Sequence, residues 1–388
     1  MFSATTTSPH HVHLRKETPE AFSFKIAPDE LARIERETNL PQRSTSAIQF
    51  ILTEQNALFA RRSTFDGGMR VLTRVALLEP VMRSDTAAIV LTFDKFVLRV
   101  LGRHASEKYV TFSYDQVEHR ELLTCRGSTR SFTVRVPVVA QMADTETENI
   151  VFMGQSSAEH MKGGLLFGAY SKSEKDDSHP CPNVTVRAGA ITGGSQRVLN
   201  RYSSPLIAPA IEFIQPKSAV PNFAAVLAKM PNEVTIGKSE NSLFFEAGNL
   251  VVWSNHADSL HYLDLPAFDQ QGEMAIVATF RELYRSIYLL AFVAGTTYVT
   301  PALSADGPKL KMGACADDRE GSCPVPVKVI NKPMFDAEGF GLHTPTVLSA
   351  LQALVRNDDV VIDIAENHVR LCTTGYQYET VSVLAKID

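Results

Sequence analysis

The chain has 388 residues, of which 44% are hydrophobic, 21% charged and 8% aromatic, and its formal net charge is −5 from 38 basic and 43 acidic side chains. At roughly 150 residues per domain this length makes two or three domains, and the composition excludes a disordered, collagen-like or membrane-embedded chain. The acidic balance argues against a uniformly basic nucleic-acid coat but permits a local basic patch, because net charge carries no positional information.

Residues 1–20 are polar and carry His10, His11 and His13; with no apolar signal core, they read as a flexible tail. The stretch 28–38 reads as an amphipathic helix with Leu31 and Ile34 inward. A helix capped by Thr92 follows, with Phe96, Val97, Val100 and Leu101 on its apolar face and strands near 109–112, 121–124 and 132–136. The same order returns at Ser218, where Val220, Phe223, Leu227 and Met230 face inward and strands follow near 233–236, 243–246 and 250–253. It returns again at Thr344, with Pro345 at a favoured first helical position, Val347, Leu348, Leu351 and Val355 inward, and strands near 360–362, 369–372 and 380–384. The three caps stand 126 residues apart at each step. Each segment is half a period. The other half also opens on a helix, at 28–38 in the first and at 279–293 in the last, where Thr279 and Glu282 form a capping box. Its middle equivalent falls in the acidic stretch 144–153. The binary pattern therefore predicts an α+β chain of three similar domains, 21–140, 141–268 and 269–388, each of two helix-plus-antiparallel-strands units.

Little in the sequence points to catalysis. Gly189 to Gly194 has the look of a phosphate loop, but Ser195 and Gln196 stand where the phosphate-binding Lys would have to be. No zinc-protease motif, nucleophile elbow or helical His pair occurs, so no cofactor, metal or enzymatic activity is expected. Cys125, Cys181, Cys315, Cys323 and Cys372 form no C-x-x-C pair and are odd in number, which fits free thiols in a reducing cytoplasm. The longest apolar run, 287–294, is too short to cross a bilayer.

Cations gather near the helices instead. Lys95, Arg99 and Arg103 follow one another at i, i+4 and i+8, and Arg281 and Arg285 repeat the spacing. Arg33 and Arg36 lie on the first helix, Arg43 follows it, and Lys217 and Lys229 flank the middle one. Like charges four apart cost a few tenths of a kcal/mol in an isolated helix. A stripe facing a polyanion recovers that cost, through salt-sensitive phosphate contacts without base reading.

Local wording adds a resemblance. Phe213-Ile214-Gln215-Pro216-Lys217 ahead of a helix, the run EVTIGKSENSLFFEAGNLVVWSN from Glu233, His261-Tyr262-Leu263-Asp264-Leu265-Pro266, and Met69 to Leu77 all resemble segments of the bacterial DNA sliding clamp, the beta subunit of DNA polymerase III. The resemblance runs from about Phe22 to Ile387. It implies a clamp fold closing as a homodimeric ring, helices inside and sheets outside, around duplex DNA, with a clamp loader to open it. Arg43 falls where that family places a DNA-contacting arginine.

The resemblance also implies a cleft between the second and third domains that takes short peptides of polymerases and repair proteins. Thr192 and Gly194 keep the family's pattern there, while Gly193, Ser195 and Gln196 replace its Asp, His and Arg; Arg197 completes the stretch. The C-terminal motif corresponds to Val383, Leu384, Ala385 and Lys386, which keeps the cation and loses the Pro and both Met. Leu260, Leu265 and His368 would form the remaining walls. The implied dimer contact joins Phe132 and Val134 to Phe292. The altered cleft leaves open an alternative, a clamp-fold paralogue of phage, plasmid or specialised origin that serves one dedicated partner.

Overall fold

The computed structural model describes residues 11–386 except 42–43, 84–86, 105, 118–119, 130–131, 147–149, 171–182, 195–197, 240–241, 256–273, 295–297, 304–308, 317–318, 330–339, 345–346, 349–350, 352–353, 355–358, 365–367, 374–377 and 384. After a short strand β1 (His11–Leu14), the described elements run through the order strand, helix, three strands again and again. The first copy is β2 (Phe22–Ile26), α1 (Pro28–Glu37), β3 (Ala47–Leu52), β4 (Leu58–Ser63) and β5 (Met69–Val75). The second is β6 (Ala88–Asp94), α2 (Phe96–Leu101), β7 (Val110–Val117), β8 (Arg120–Gly127) and β9 (Thr133–Pro137), and β10 (Val139–Glu146) follows it. The third is β11 (Val151–Ser157), α3 (Ala158–Ala169), β12 (Asn183–Arg187), β13 (Ala190–Gly194) and β14 (Val198–Ser203). The fourth is β15 (Phe213–Pro216), a 3-10 turn (Lys217–Ala219) leading into α4 (Val220–Leu227), β16 (Glu233–Lys238), β17 (Ser242–Ala247) and β18 (Leu250–Asn255). The fifth is β19 (Met274–Thr279), α5 (Phe280–Ala294), β20 (Tyr298–Leu303), β21 (Lys309–Ala316) and β22 (Arg319–Val329). The last is β23 (Phe340–His343), helical residues Thr344, Val347, Leu348 and Leu351, then β24 (Asp359–Ile364), β25 (His368–Thr373) and β26 (Tyr378–Val383), with β27 (Ala385–Lys386) at the end.

The chain divides into two compact units. Residues 1–159 and 221–256 hold a sheet ordered β1-β10-β6-β3-β4-β5-β18-β17-β16-β11 and a smaller one ordered β2-β7-β8-β9. Residues 160–220 and 257–388 hold a sheet ordered β15-β12-β13-β14-β26-β25-β24-β19-β22-β21-β20-β23-β27. The middle of the chain contributes to both. β18 pairs with β5, from Leu250 opposite Thr73 to Ser254 opposite Met69, and β14 pairs with β26, from Val198 opposite Ser382 to Tyr202 opposite Tyr378.

In the first unit, α1 and α2 set Leu31, Ile34, Val97, Leu98 and Leu101 on a core with Phe24, Phe50, Phe93 and Phe112. The rings interlock: Phe50 meets Phe93 edge-on at 5.0 Å, and Phe24 stacks on Phe112 at 5.2 Å. A second apolar cluster that includes no helix residue, Ile51, Phe59, Leu72, Val90, Phe244, Val251 and Trp253, explains why these strands read as nearly continuous apolar runs. In the second unit Leu165 and Phe167 of α3 are buried, as are Val184, Val186, Ile191 and Phe213 of the strands beside them; Leu283, Ile287 and Leu290 of α5 are buried too.

Three expectations change. Residues 11–14 are not a tail: they form β1 on the edge of β10, with Val12 packed against the second cluster and Arg15 Nε donating to Asp144 Oδ2 at 2.8 Å. Thr92 caps nothing, because β6 runs through it; Lys95 holds the N-cap position of α2, and Asp94 Oδ1 accepts the Phe96 N–H at 2.8 Å. Of the acidic stretch 144–153, residues 144–146 end β10 and 151–153 begin β11, and the helix stands later, at Ala158–Ala169. Gly163, Gly164 and Gly168 obscure α3, since glycine weakens a helix by about 1 kcal/mol each. Packing explains two of them: a Cβ on Gly164 would lie 2.5 Å from Ile191 Cδ1, and one on Gly168 would lie 3.0 Å from Val184 Cγ1. The apparent phosphate loop is a hairpin instead, turning from β12 into β13 at Ala188 and Gly189, both with positive φ, at 50° and 78°.

Candidate nucleic-acid interface

The helices α1 and α2 of the first unit pack closely because Gly102, at the end of α2, has no side chain: a Cβ there would meet the Ala32 backbone nitrogen at 3.0 Å. Across this contact Arg99 Nε donates to Glu35 Oε1 at 2.9 Å in an exposed pair, a geometry that contributes little stability.

Beside them lies a group of cations that share few carboxylates. Arg62 of β4 is 3% exposed, and its guanidinium donates to neutral oxygens: the Thr45 carbonyl at 3.0 Å, Asn39 Oδ1 at 3.1 Å and Ser44 Oγ at 2.5 Å. Lys229 Nζ donates to the carbonyls of Asn39 at 2.5 Å and Glu37 at 3.3 Å, satisfying carbonyls where α1 ends. Burial first and the Arg62 charge second, with Glu37 opposing both, bring the Lys229 ammonium down to about 8. Lys95 is also lowered, by desolvation first and then by Arg62 and Arg99, with Asp94 and Glu35 opposing. Arg62 thus disfavours the charge on both lysines, and Arg99 that on Lys95 and Arg62, so these cations make a locally positive field on a net acidic chain. Such a field suits an anion that brings charge without a side chain of its own to bury.

The structure separates the basic residues by role. Arg33 is committed within the chain. It donates to Glu30 through Nε at 2.8 Å and Nη2 at 2.7 Å, ion-pairs with Glu37, and reaches Thr73 Oγ1 at 3.0 Å and the Arg74 carbonyl at 2.6 Å. It therefore ties α1 to β5, and its charge is neutralised. Lys217 Nζ donates to the Gly194 carbonyl. Arg36, Arg103, Arg281 and Arg285 are exposed and form no ion pair with a described residue. The three-residue stripe is shorter than its spacing suggested: α2 has six residues, so only Arg99 lies within it, with Lys95 at its N-cap and Arg103 beyond its C-cap Gly102. Arg43 lies outside the described residues. Arg62 was missed by the helix-based reading because it sits on a strand. The signal was its alternation with Leu58 and Ala60, which face the helices.

In the second unit, β13, β14, β26 and β25 are consecutive in the sheet, so Thr192 and Gly194 share it with His368 and Val383, which lie directly opposite each other. Ala385 and Lys386 pair with Gly341 and Phe340. Gly193 is fixed by close packing, since a Cβ would stand 2.2 Å from the Gly168 carbonyl oxygen, which explains why no larger residue occupies the position. Ser195, Gln196, Arg197, Leu260, Leu265 and Leu384 lie outside the described residues. Phe132 and Val134 are half-buried at β9, whereas Phe292 at the end of α5 is 79% exposed, beside Tyr288 and Leu289 at 56% and 48%. No helix among the described residues is long and apolar enough to cross a membrane.

No protein-family model matches the chain, and no curated protein sequence matches it. Solved structures do. The DNA polymerase III subunit beta of Pseudomonas aeruginosa superposes with a TM-score of 0.71 at 13% identity, over 94% of this chain and all of that one. The DNA polymerase sliding clamp of Caulobacter crescentus gives 0.70 at 12%, over 94% and 100%. The DNA polymerase III beta subunit of Thermotoga maritima gives 0.68 at 9%, over 95% and 100%. This chain has the fold of the bacterial DNA polymerase sliding clamps.

Proposed function

We propose that the chain is a DNA sliding clamp, a processivity factor that acts by topology and docking and catalyses no reaction. One observation carries the reading: the likeness covers the neighbours' whole length at less than 15% identity. The architecture is therefore kept where the sequence is not. In this reading the order of elements groups into three domains, 21–140, 141–268 and 269–388. Two copies close head to tail into a ring on duplex DNA in the cytoplasm, and a clamp loader opens it. The exposed Leu289 and Phe292 of one copy meet Phe132 and Val134 of the other, burying a helix end that a monomer leaves in water.

Duplex contacts fall to the exposed cations Arg36, Arg99, Arg103, Arg281 and Arg285 and the half-buried Lys95, with Arg43 beside them. Arg62 and Lys229 supply field from behind. Polymerase and repair peptides dock at Thr192, Gly194, His368 and Val383, without the two methionines that make such grooves adaptable. That loss narrows the set of partners. Arg33 and Lys217, committed internally, are left out of the DNA set.

The test is a double reversal, Arg99→Glu with Arg285→Glu. It should shorten retention on circular DNA and make its loss with salt shallower, because fewer phosphate contacts remain, while the melting temperature stays within a few degrees. Unchanged retention would remove these helices from the DNA-facing surface.

A further inference from the structure

Phe96, expected on the inward face of α2, opens that helix 61% exposed, while Val97, Leu98 and Leu101 are buried. Its backbone N–H is already taken by Asp94 Oδ1. Helical spacing puts Arg99 on the same side three residues on, and the exposed Arg103 stands just past the C-cap Gly102. Lys95 precedes it, and Arg62 lies near enough to depress the Lys95 ammonium. The acidic groups here are Asp94, spent on the helix end, and Glu35, paired with Arg99. An exposed aromatic ring costs free energy in water, and here it stands where Lys95, Arg99, Arg103 and Arg62 outnumber Asp94 and Glu35. A duplex offers phosphates to the cations but keeps its base faces stacked, so it leaves the ring idle. A single strand offers both, phosphates to the guanidinium groups and an open base to the ring.

We propose that Phe96 and Arg99 of α2, with Arg103 just beyond its C-cap, bind single-stranded nucleic acid, Phe96 stacking on an unpaired base and the arginines holding the flanking phosphates. This deepens the clamp reading, adding to a duplex-encircling protein a contact for the unpaired strand, yet it is testable without ring closure, because a short oligonucleotide needs no ring.

The probe is a thymidine oligonucleotide carrying one 2-aminopurine, titrated into the full-length protein at low salt, beside a blunt duplex of similar length. Wild-type protein should quench the 2-aminopurine on binding. Phe96→Ala should weaken single-strand binding on the order of tenfold and remove most of the quench, and Phe96→Trp should restore both. Duplex affinity should stay within about twofold in all three. No quench with wild-type protein, equal single-strand affinity for folded Phe96→Ala, or an equal loss on duplex and single strand would each overturn the proposal. So would concentration-dependent self-association that Phe96→Ala abolishes, which would assign the ring to a second copy of the chain. Failure of the protein to stay on circular duplex, with oligonucleotide binding intact, would count against the clamp reading alone.

Discussion

At the scale of single residues, position in the fold decides what each cation does. Arg33 and Arg36 stand three apart on α1, yet the first is engaged by Glu30, Glu37, Thr73 and the Arg74 carbonyl while the second is exposed. Arg33→Ala should lower stability by about 2 kcal/mol, because it strands two carboxylates in a half-buried network. Retention on DNA per folded molecule should not change, and urea unfolding alongside a retention assay checks both. Lys229 makes a pH signature. It is held at about 8 against an ordinary 10.5, so between those values the unfolded chain binds more protons than the folded one and stability rises with pH. Below about pH 8 the cost of the half-buried ammonium is present in full. Comparing urea midpoints of wild type and Lys229→Met across this window should show the wild type gaining on the variant as pH rises; parallel curves would contradict the shift. Arg33's commitment was not legible beforehand, because Thr73 and Arg74 lie some 40 residues away in sequence.

At the scale of elements, legibility followed the strength of the hydrophobic period. Leu31 and Ile34 of α1, and Val220, Phe223, Leu227 and Met230 around α4, are all buried as their spacing required. The strands after Ser218 and Thr344 fell where expected, since alternation and turn residues bound them on both sides. α3 was misplaced because its glycines serve neighbours in space, where a side chain would collide with Ile191 and Tyr202. β1 was missed because a four-residue strand with two histidines carries no period of its own; it exists only because β10 offers an edge. The contact between Gly168 and Gly193 gives a sharp test. Gly193→Ala would push a Cβ against a backbone oxygen at 2.2 Å, with no flexible side chain to give way. It should destabilise the protein by about 2 kcal/mol or more, read as a fall in melting temperature. An unchanged melting temperature would mean that α3 and β13 do not approach in this way.

At the scale of the whole molecule, the net charge of −5 and the basic group around Arg62, Lys95, Arg99 and Lys229 are compatible, because position and not total sets the local field. The repeated spacing of the helix segments was visible in the sequence, and the described strands keep it: β6, β15 and β23 begin 125 and 127 residues apart. The sharing of the middle segment between two sheets was not visible, since it depends on β18 pairing with β5 and β14 with β26 across long separations. Ring closure is decided by a single-particle image of the purified chain. The image should show particles of two copies, near twice 42.7 kDa, closed around a hole wide enough for duplex DNA. Compact monomers without a hole, at micromolar concentration, would contradict it.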